Sequence, residues 1–276
     1  MTTGNPILEI IDLYKTFNTG TPNEIKALQG ISCEIRRGSF VILVGTNGSG
    51  KSTLLNAVAG AFAPDAGKIL LNNADITHQK EHERALRFGR VFQNPFSGTA
   101  PDMTISENLA LAAKKGSFRG LGMALTARSK AAFREKIKTL NMGMEDRLDT
   151  PIGKLSGGQR QALTLLMASW VKPEILLLDE HTAALDPKTA AKVVQLTRDI
   201  VEKDQLTTLM VTHSMQQAIH LGDRILMLHQ GRIVKDISAD EKKNLKIKDL
   251  MDFFDEVRRI DLIDPTMADM LRQNYI

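Results

Sequence analysis

The run Gly45-Thr46-Asn47-Gly48-Ser49-Gly50-Lys51-Ser52-Thr53 constrains this chain more than any other stretch. It fits G-x-x-x-x-G-K-[ST], follows an apolar, β-branched run at 40–44 and precedes a helix-forming run at 54–59. Strand, glycine loop and helix together make a phosphate site. Glycines let the backbone curl so that successive N–H groups face one concavity, and the helix N-terminus adds partial positive charge there. Lys51 then reaches the β- and γ-phosphates, and the Ser52 hydroxyl joins a Mg²⁺ shell. An ordinary βα turn has no need of Lys-Ser at its end.

The remaining pattern alternates strands with helices and predicts an α/β fold with a mostly parallel sheet. A strand is expected at 7–17, a strand pair at 25–35, and strands at 67–71, 88–92, 175–178 and 207–212. Helices are expected at 82–86, from Ser106, at 126–140, from the Ser156 region to about Trp170, and at 188–203 and 214–221. A hairpin is expected at 224–236, and the basic, glycine-rich stretch 116–122 reads as a loop. Beyond residue 236, Leu250, Phe253, Phe254 and Val257 recur at helical spacing among acidic residues. That pattern predicts a helix whose apolar face covers its own domain or a partner.

Four strand ends carry polar chemistry. One bears the glycine loop, a second ends at Gln93, a third at Asp179-Glu180 and a fourth at His213. Asp179 is placed to hold Mg²⁺ through water, and Glu180 to orient or deprotonate a water attacking the γ-phosphate. Gln93 would touch the metal shell and that water, and His213 would bind the γ-phosphate or hold Glu180. Each residue alone has a dull reading as polar surface. Their delivery to one edge of one sheet does not.

With these motifs assembled, residues 7–236 resemble the ATP-binding cassette family. Leu155-Ser156-Gly157-Gly158-Gln159 matches the family's signature sequence, and the order of glycine loop, Gln, signature, Asp-Glu, Ala184-Leu185-Asp186 and His also matches. The resemblance implies a P-loop NTPase with an N-terminal antiparallel β subdomain and a helical subdomain, at about 96–172, carrying the signature. It divides the chain into an ATPase domain at 1–236 and a helical extension at 237–276. ATP and Mg²⁺ are the implied cofactors. Phe17 would stack on adenine in preference to Tyr14, and Gly45, Thr46, Asn47, Gly48, Ser49, Gly50, Lys51, Ser52 and Thr53 would bind the phosphates. Glu180, His213 and Gln93 are the implied catalytic residues, and Ser52, Gln93 and Asp179 would hold the metal, Asp179 through water. Ser156, Gly157, Gly158, Gln159 and Asp186 would act on ATP held by a second subunit. One departure is His181, where the family commonly has proline; a solvated histidine is expected there.

Within the family, a single cassette with only residues 94–154 between Gln93 and the signature, and no sustained heptads, sets aside the genome-maintenance type. The chain then resembles the ATPase subunit of a bacterial importer: a homodimer on ATP binding, beneath separate branched-chain amino-acid-type permeases served by a substrate-binding protein. The competing resemblance is a soluble ATPase of iron–sulfur assembly. A net charge of +4 with Lys and Arg spread along the chain gives no reason to expect a nucleic-acid partner. The single cysteine, Cys33, rules out an internal disulfide, and no run nears the ~18 apolar residues of a spanning helix. The N-terminal residues show no secretion signal, and the importer resemblance implies a cytoplasmic place at the inner membrane face.

Overall fold

The computed structural model describes residues 6–116 and 125–262. Most of the expected loop at 116–122 and the last fourteen residues lie outside the described residues. In chain order the elements are β1 (Pro6–Phe17), β2 (Ile25–Arg36), β3 (Phe40–Gly45), α1 (Lys51–Ala59), β4 (Ala66–Leu71), β5 (Ala74–Asp75), α2 (Glu81–Arg84) and β6 (Phe88–Val91). The helical stretch follows with α3 (Ile105–Ala113), α4 (Ala127–Lys138) and α5 (Gly157–Ser169). The chain continues as β7 (Ile175–Asp179), α6 (Pro187–Asp204), β8 (Thr208–Val211), α7 (Met215–His220), β9 (Arg224–His229), β10 (Arg232–Ile237), α8 (Ala239–Lys242) and α9 (Ile247–Leu262).

Two sheets organise these elements. An antiparallel sheet has the order β2-β1-β4-β5, and a larger one the order β10-β9-β3-β8-β7-β6. In the larger sheet β9, β3, β8, β7 and β6 are mutually parallel, and β10 alone runs against β9. β3 is buried along its whole length, as a parallel strand covered on both faces must be. Val41 and Leu43 face the antiparallel sheet and α1, where Leu54, Leu55 and Val58 close the first core. Ile42 and Val44 face the other way and pack with Leu165 of α5, Val201 of α6 and Ala218 of α7. That alternation is the two-residue period of a strand.

The stretch 25–35 is one strand rather than a pair. β2 pairs with β1 from Pro6↔Arg36 to Phe17↔Ile25, and the register skips Gly30 as a bulge. A glycine inside the run therefore bends the strand without turning the chain. The helical stretch has a third core of its own, in which Ile105, Leu109, Phe133, Ile137, Ile152 and Leu163 are buried together. The extension after β10 packs on its own chain: Leu250 and Phe254 of α9 join the second core. Lys242 of α8 donates to Leu221 O and Gly222 O at the end of α7.

Candidate nucleotide site

Parallel register sets the site. Leu43 pairs with Val211, Val211 with Asp179, and Leu178 with Val91, so β3, β8, β7 and β6 end level with one another. The residues that follow those ends, including Gln93, Glu180 and His213, therefore emerge on one edge.

The glycine loop is already curled. Gly50, at φ 99°, caps α1 without a side chain, and a Cβ added there would come within 2.5 Å of Ala27 O. Ser49 O accepts from Gly231 N (3.0 Å), so the β9–β10 turn braces the loop from behind. The Lys51 ammonium is tucked inside, donating to Gly45 O (3.0 Å) and Thr46 O (2.8 Å). Burial pushes its pKa down, while Glu180 and Asp179 pull it back up. A cationic nest with an uncapped helix start is a cradle for phosphate.

Beside it, Ser52 Oγ donates to Asp179 Oδ1 at 3.2 Å. Burial raises the Asp179 carboxyl above the usual carboxylate range, against the hydrogen bond from Ser52 and the charge of Arg90. A hydroxyl and a carboxylate oxygen at the mouth of a phosphate nest are hard donors suited to Mg²⁺. Desolvation disfavours the charged form of that carboxyl, a penalty that a divalent ion beside it would offset. The Glu180 carboxylate is held at both oxygens: His213 Nε2 lies 2.5 Å from Oε1, and Gln93 Nε2 donates to Oε2 at 3.2 Å. Glu180 itself has φ 42°, an unusual conformation for a side-chain-bearing residue, and its N–H donates to Val211 O (3.1 Å).

A cleft of about 370 Å³ joins these groups to β1 and β2. Phe17, Ile25 and Ala27 line one side, the loop from Asn47 to Thr53 the floor, and Glu180 and His213 the far end. Phe17 meets Phe62 edge-on (5.3 Å between centroids), with the Lys15 ammonium near both rings. Tyr14 is 45% exposed and stands over Gly30, away from the cleft lining. Ile25 and Phe62 went unread in the sequence. An apolar residue at a strand end beside Phe17 is the signal for Ile25; nothing local marks Phe62.

The signature residues lie elsewhere. Ser156 caps α5, its Oγ accepting from Gln159 N (3.3 Å) while Gln159 Oε1 accepts from Ser156 N (3.2 Å). Ser156 and Gly157 are exposed, whereas Gly158 is buried against Thr189 of α6. Asp186 caps α6 by accepting from Thr189 N (3.1 Å) and is exposed. None of these five residues lines the cleft.

His181 is a correction to the expectation of a solvated side chain. It is 2% exposed, and its Nε2 is 2.9 Å from Thr197 Oγ1 on α6, because the chain turns inward after β7 to reach that helix. Burial holds the imidazole pKa down at about 4, so the ring is neutral. Its Nδ1 is buried without a partner among the described residues. The neighbouring Thr182 accepts from Gln217 Nε2 (3.0 Å), and Gln217 accepts from Thr212 (2.7 Å), which ties the segment to α7 as well.

A family profile described as ABC transporter matches residues 28–183. The chain is 42% identical over 251 residues to a tyrosine transport ATP-binding protein of Clostridioides difficile, covering 90% of this chain and 99% of that one. It is 35% identical over 229 residues to a putative hemin import ATP-binding protein of Staphylococcus aureus, covering 82% and 98%. Among solved structures, a dimeric ATP-binding cassette in a post-hydrolysis state with ADP and Pi superposes with a TM-score of 0.71 at 30% identity, covering 84% and 98%. The chain belongs to the ABC transporter family. It is the ATP-binding, ATP-hydrolysing subunit of such a transporter, with ATP and Mg²⁺ as its cofactors. The iron–sulfur assembly reading finds no support among these relatives. No helix among the described residues is long and apolar enough to cross a membrane.

Proposed function

We propose that two copies of this chain close on two ATP molecules beneath separate permease subunits, at the cytoplasmic face of a cell membrane, and power import of a small solute delivered by a substrate-binding protein. The observation that carries the catalytic reading is the Glu180 carboxylate, bound by Gln93 and His213 next to the Ser52–Asp179 pair. Residues Gly45 to Thr53 hold the phosphates, Lys51 reaches the terminal ones, and Phe17 stacks on the base. Ser52, Gln93 and, through water, Asp179 would hold Mg²⁺, which neutralises phosphate charge when bound. Glu180 accepts a proton from the attacking water, and His213 and Gln93 keep its carboxylate aimed. Ser156, Gly157, Gly158, Gln159 and Asp186 complete the site of the partner copy; the exposure of Ser156, Gly157 and Asp186 supports this.

An amino acid is the proposed cargo. Support for it is the relative named for tyrosine transport, matched over almost its whole length; hemin import is named for a more distant one. The permease would dock on the stretch 93–108, where Phe96 is 44% exposed with its ring stacked 3.6 Å from the Arg160 guanidinium. Asn108 holds that stretch in shape through Ala100 O, Met103 O and Thr104 O. The test is uptake of labelled tyrosine, of other amino acids and of hemin by cells with and without this chain, together with co-purification in mild detergent. Loss of tyrosine uptake and recovery of an integral membrane partner support the reading. Unchanged uptake with only soluble partners overturns it.

A further inference from the structure

We propose that His181 is a positioning residue for ATP hydrolysis, its buried imidazole holding Glu180 in place through a hydrogen bond to Thr197 on α6. This rests on the reading of Glu180 as the base. The backbone of Glu180 sits at φ 42°, a left-handed conformation that a residue with a Cβ keeps only where its surroundings impose it. The carboxylate's bonds to Gln93 and His213 are made to its tip and do not fix the backbone. Its backbone makes two hydrogen bonds, Glu180 N to Val211 O (3.1 Å) and Ala183 N to Glu180 O (3.0 Å). Two side chains reach out of the turn to helices: Thr182, which accepts from Gln217 of α7, and His181, directly after Glu180, which reaches Thr197 of α6.

Its bond has a defined direction. Thr197 Oγ1 donates its one proton to Val193 O at 2.8 Å, so it accepts from His181, and the proton sits on Nε2. That leaves Nδ1 a bare acceptor, buried and without a partner among the described residues. A leucine would fill such a place without the penalty of an orphaned acceptor. Retaining the imidazole makes sense where a directional tether is needed rather than apolar filling. The tether ends on a well-fixed point: Val193 and Thr197 are both wholly buried on one face of α6. Thr189 lies on that same face, against Gly158 of the signature. The position of Glu180 is thereby referred to the helix that also seats the signature.

The experiment measures steady-state hydrolysis by the full-length chain with Thr197→Val, Thr197→Ser and His181→Leu, beside Glu180→Gln as reference. Thr197→Val keeps shape and removes the acceptor; we expect kcat to fall about tenfold with KM for ATP within about twofold, since only transition-state alignment is lost. Thr197→Ser restores the hydroxyl and should restore kcat. In the His181→Leu background, Thr197→Val should cost nothing further. Should Thr197→Val not fold, the contrast is read between Thr197→Ser and Thr197→Ala. A kcat indifferent to the hydroxyl, a parallel rise in KM, or full additivity of the two substitutions overturns the proposal. Undiminished turnover in Glu180→Gln would instead remove the base reading, and so the two failures are told apart.

Discussion

Two helices in this chain begin at glycine-rich turns, and they are built in opposite ways. α1 starts at Gly50 with no side-chain cap, its N–H groups facing a concavity that already holds the Lys51 ammonium. α5 starts at Ser156 with its N–H groups partly satisfied by its own capping box. The first is buried within the fold and asks for an anion; the second is exposed and satisfied alone. The Ser156 hydroxyl, while accepting from Gln159, still has a proton to donate. The difference separates a helix start built to take an anion within a single chain from one left open for the contact proposed with a second copy.

The largest effect should come from the first helix. Lys51→Ala removes the cation from the nest, a charge that interacts with Asp179 and Glu180. ATP affinity of the isolated chain should fall about a hundredfold or more, the worth of a charge-assisted contact to phosphate in a water-poor site, and calorimetry reads it directly. Retained affinity would mean that the loop binds by backbone alone.

The second helix is broken more selectively by Ser156→Asp. Aspartate caps a helix as well as serine does, so stability should hold. Its charge would face a shared γ-phosphate, and turnover and ATP-dependent dimerisation should drop about thirtyfold while single-chain ATP affinity stays within about twofold. Sedimentation with ATP on the Glu180→Gln background reads the dimer. Loss of single-chain affinity would erase the contrast between the two helix starts.

Gly158→Ala probes the packing beneath the signature. Its Cβ would run into Thr189 Cγ2 and force α5 from α6, for a loss of about 2 kcal/mol read by denaturant melts. Thr189→Ser, which deletes that methyl, should restore most of it. Absence of rescue would place the constraint in the backbone of α5 instead.

The two helix starts were also unequally legible in the sequence. The glycine loop was readable because strand, glycines and Lys-Ser occupy consecutive positions, and the parallel register of β3, β8 and β7 then aligned the other strand ends. The helix over 105–113 was expected from Ser106; the structure starts it at Ile105, where Thr104 and Glu107 form a capping box that the sequence reading passed over. What else escaped depends on contacts distant in sequence. Phe62 meets Phe17 across 45 residues, and His181 was taken for surface because its burial is decided by α6, which begins six residues later. The stretch 25–35 read as a strand pair because the sequence of one strand cannot reveal that its partner tolerates a bulge at Gly30. Helical spacing showed an apolar face at 250–257 but not its seat, which the second core supplies.

That seat yields the smallest effect, at Lys242. Lys242 is 7% exposed, and its ammonium caps the end of α7 through Leu221 O and Gly222 O; Ser214, the residue after His213, caps the start of the same helix. Burial lowers the Lys242 pKa to about 8, with Asp223 opposing. The unfolded chain keeps this proton up to about pH 10.4, whereas the folded chain releases it from about 8. Between those values unfolding takes up a proton, so raising the pH favours the folded state. From about pH 7.5 to about pH 9 the wild type should gain about 1 kcal/mol over Lys242→Met, which has no proton to lose there. Denaturant melts of the two proteins at both pH values measure the difference, and ATP affinity should be the same in both. A difference that shrinks as the pH rises would mean the ammonium is held by its two carbonyls more strongly than burial opposes it, and the extension would then be anchored by charge rather than by the Leu250–Phe254 face.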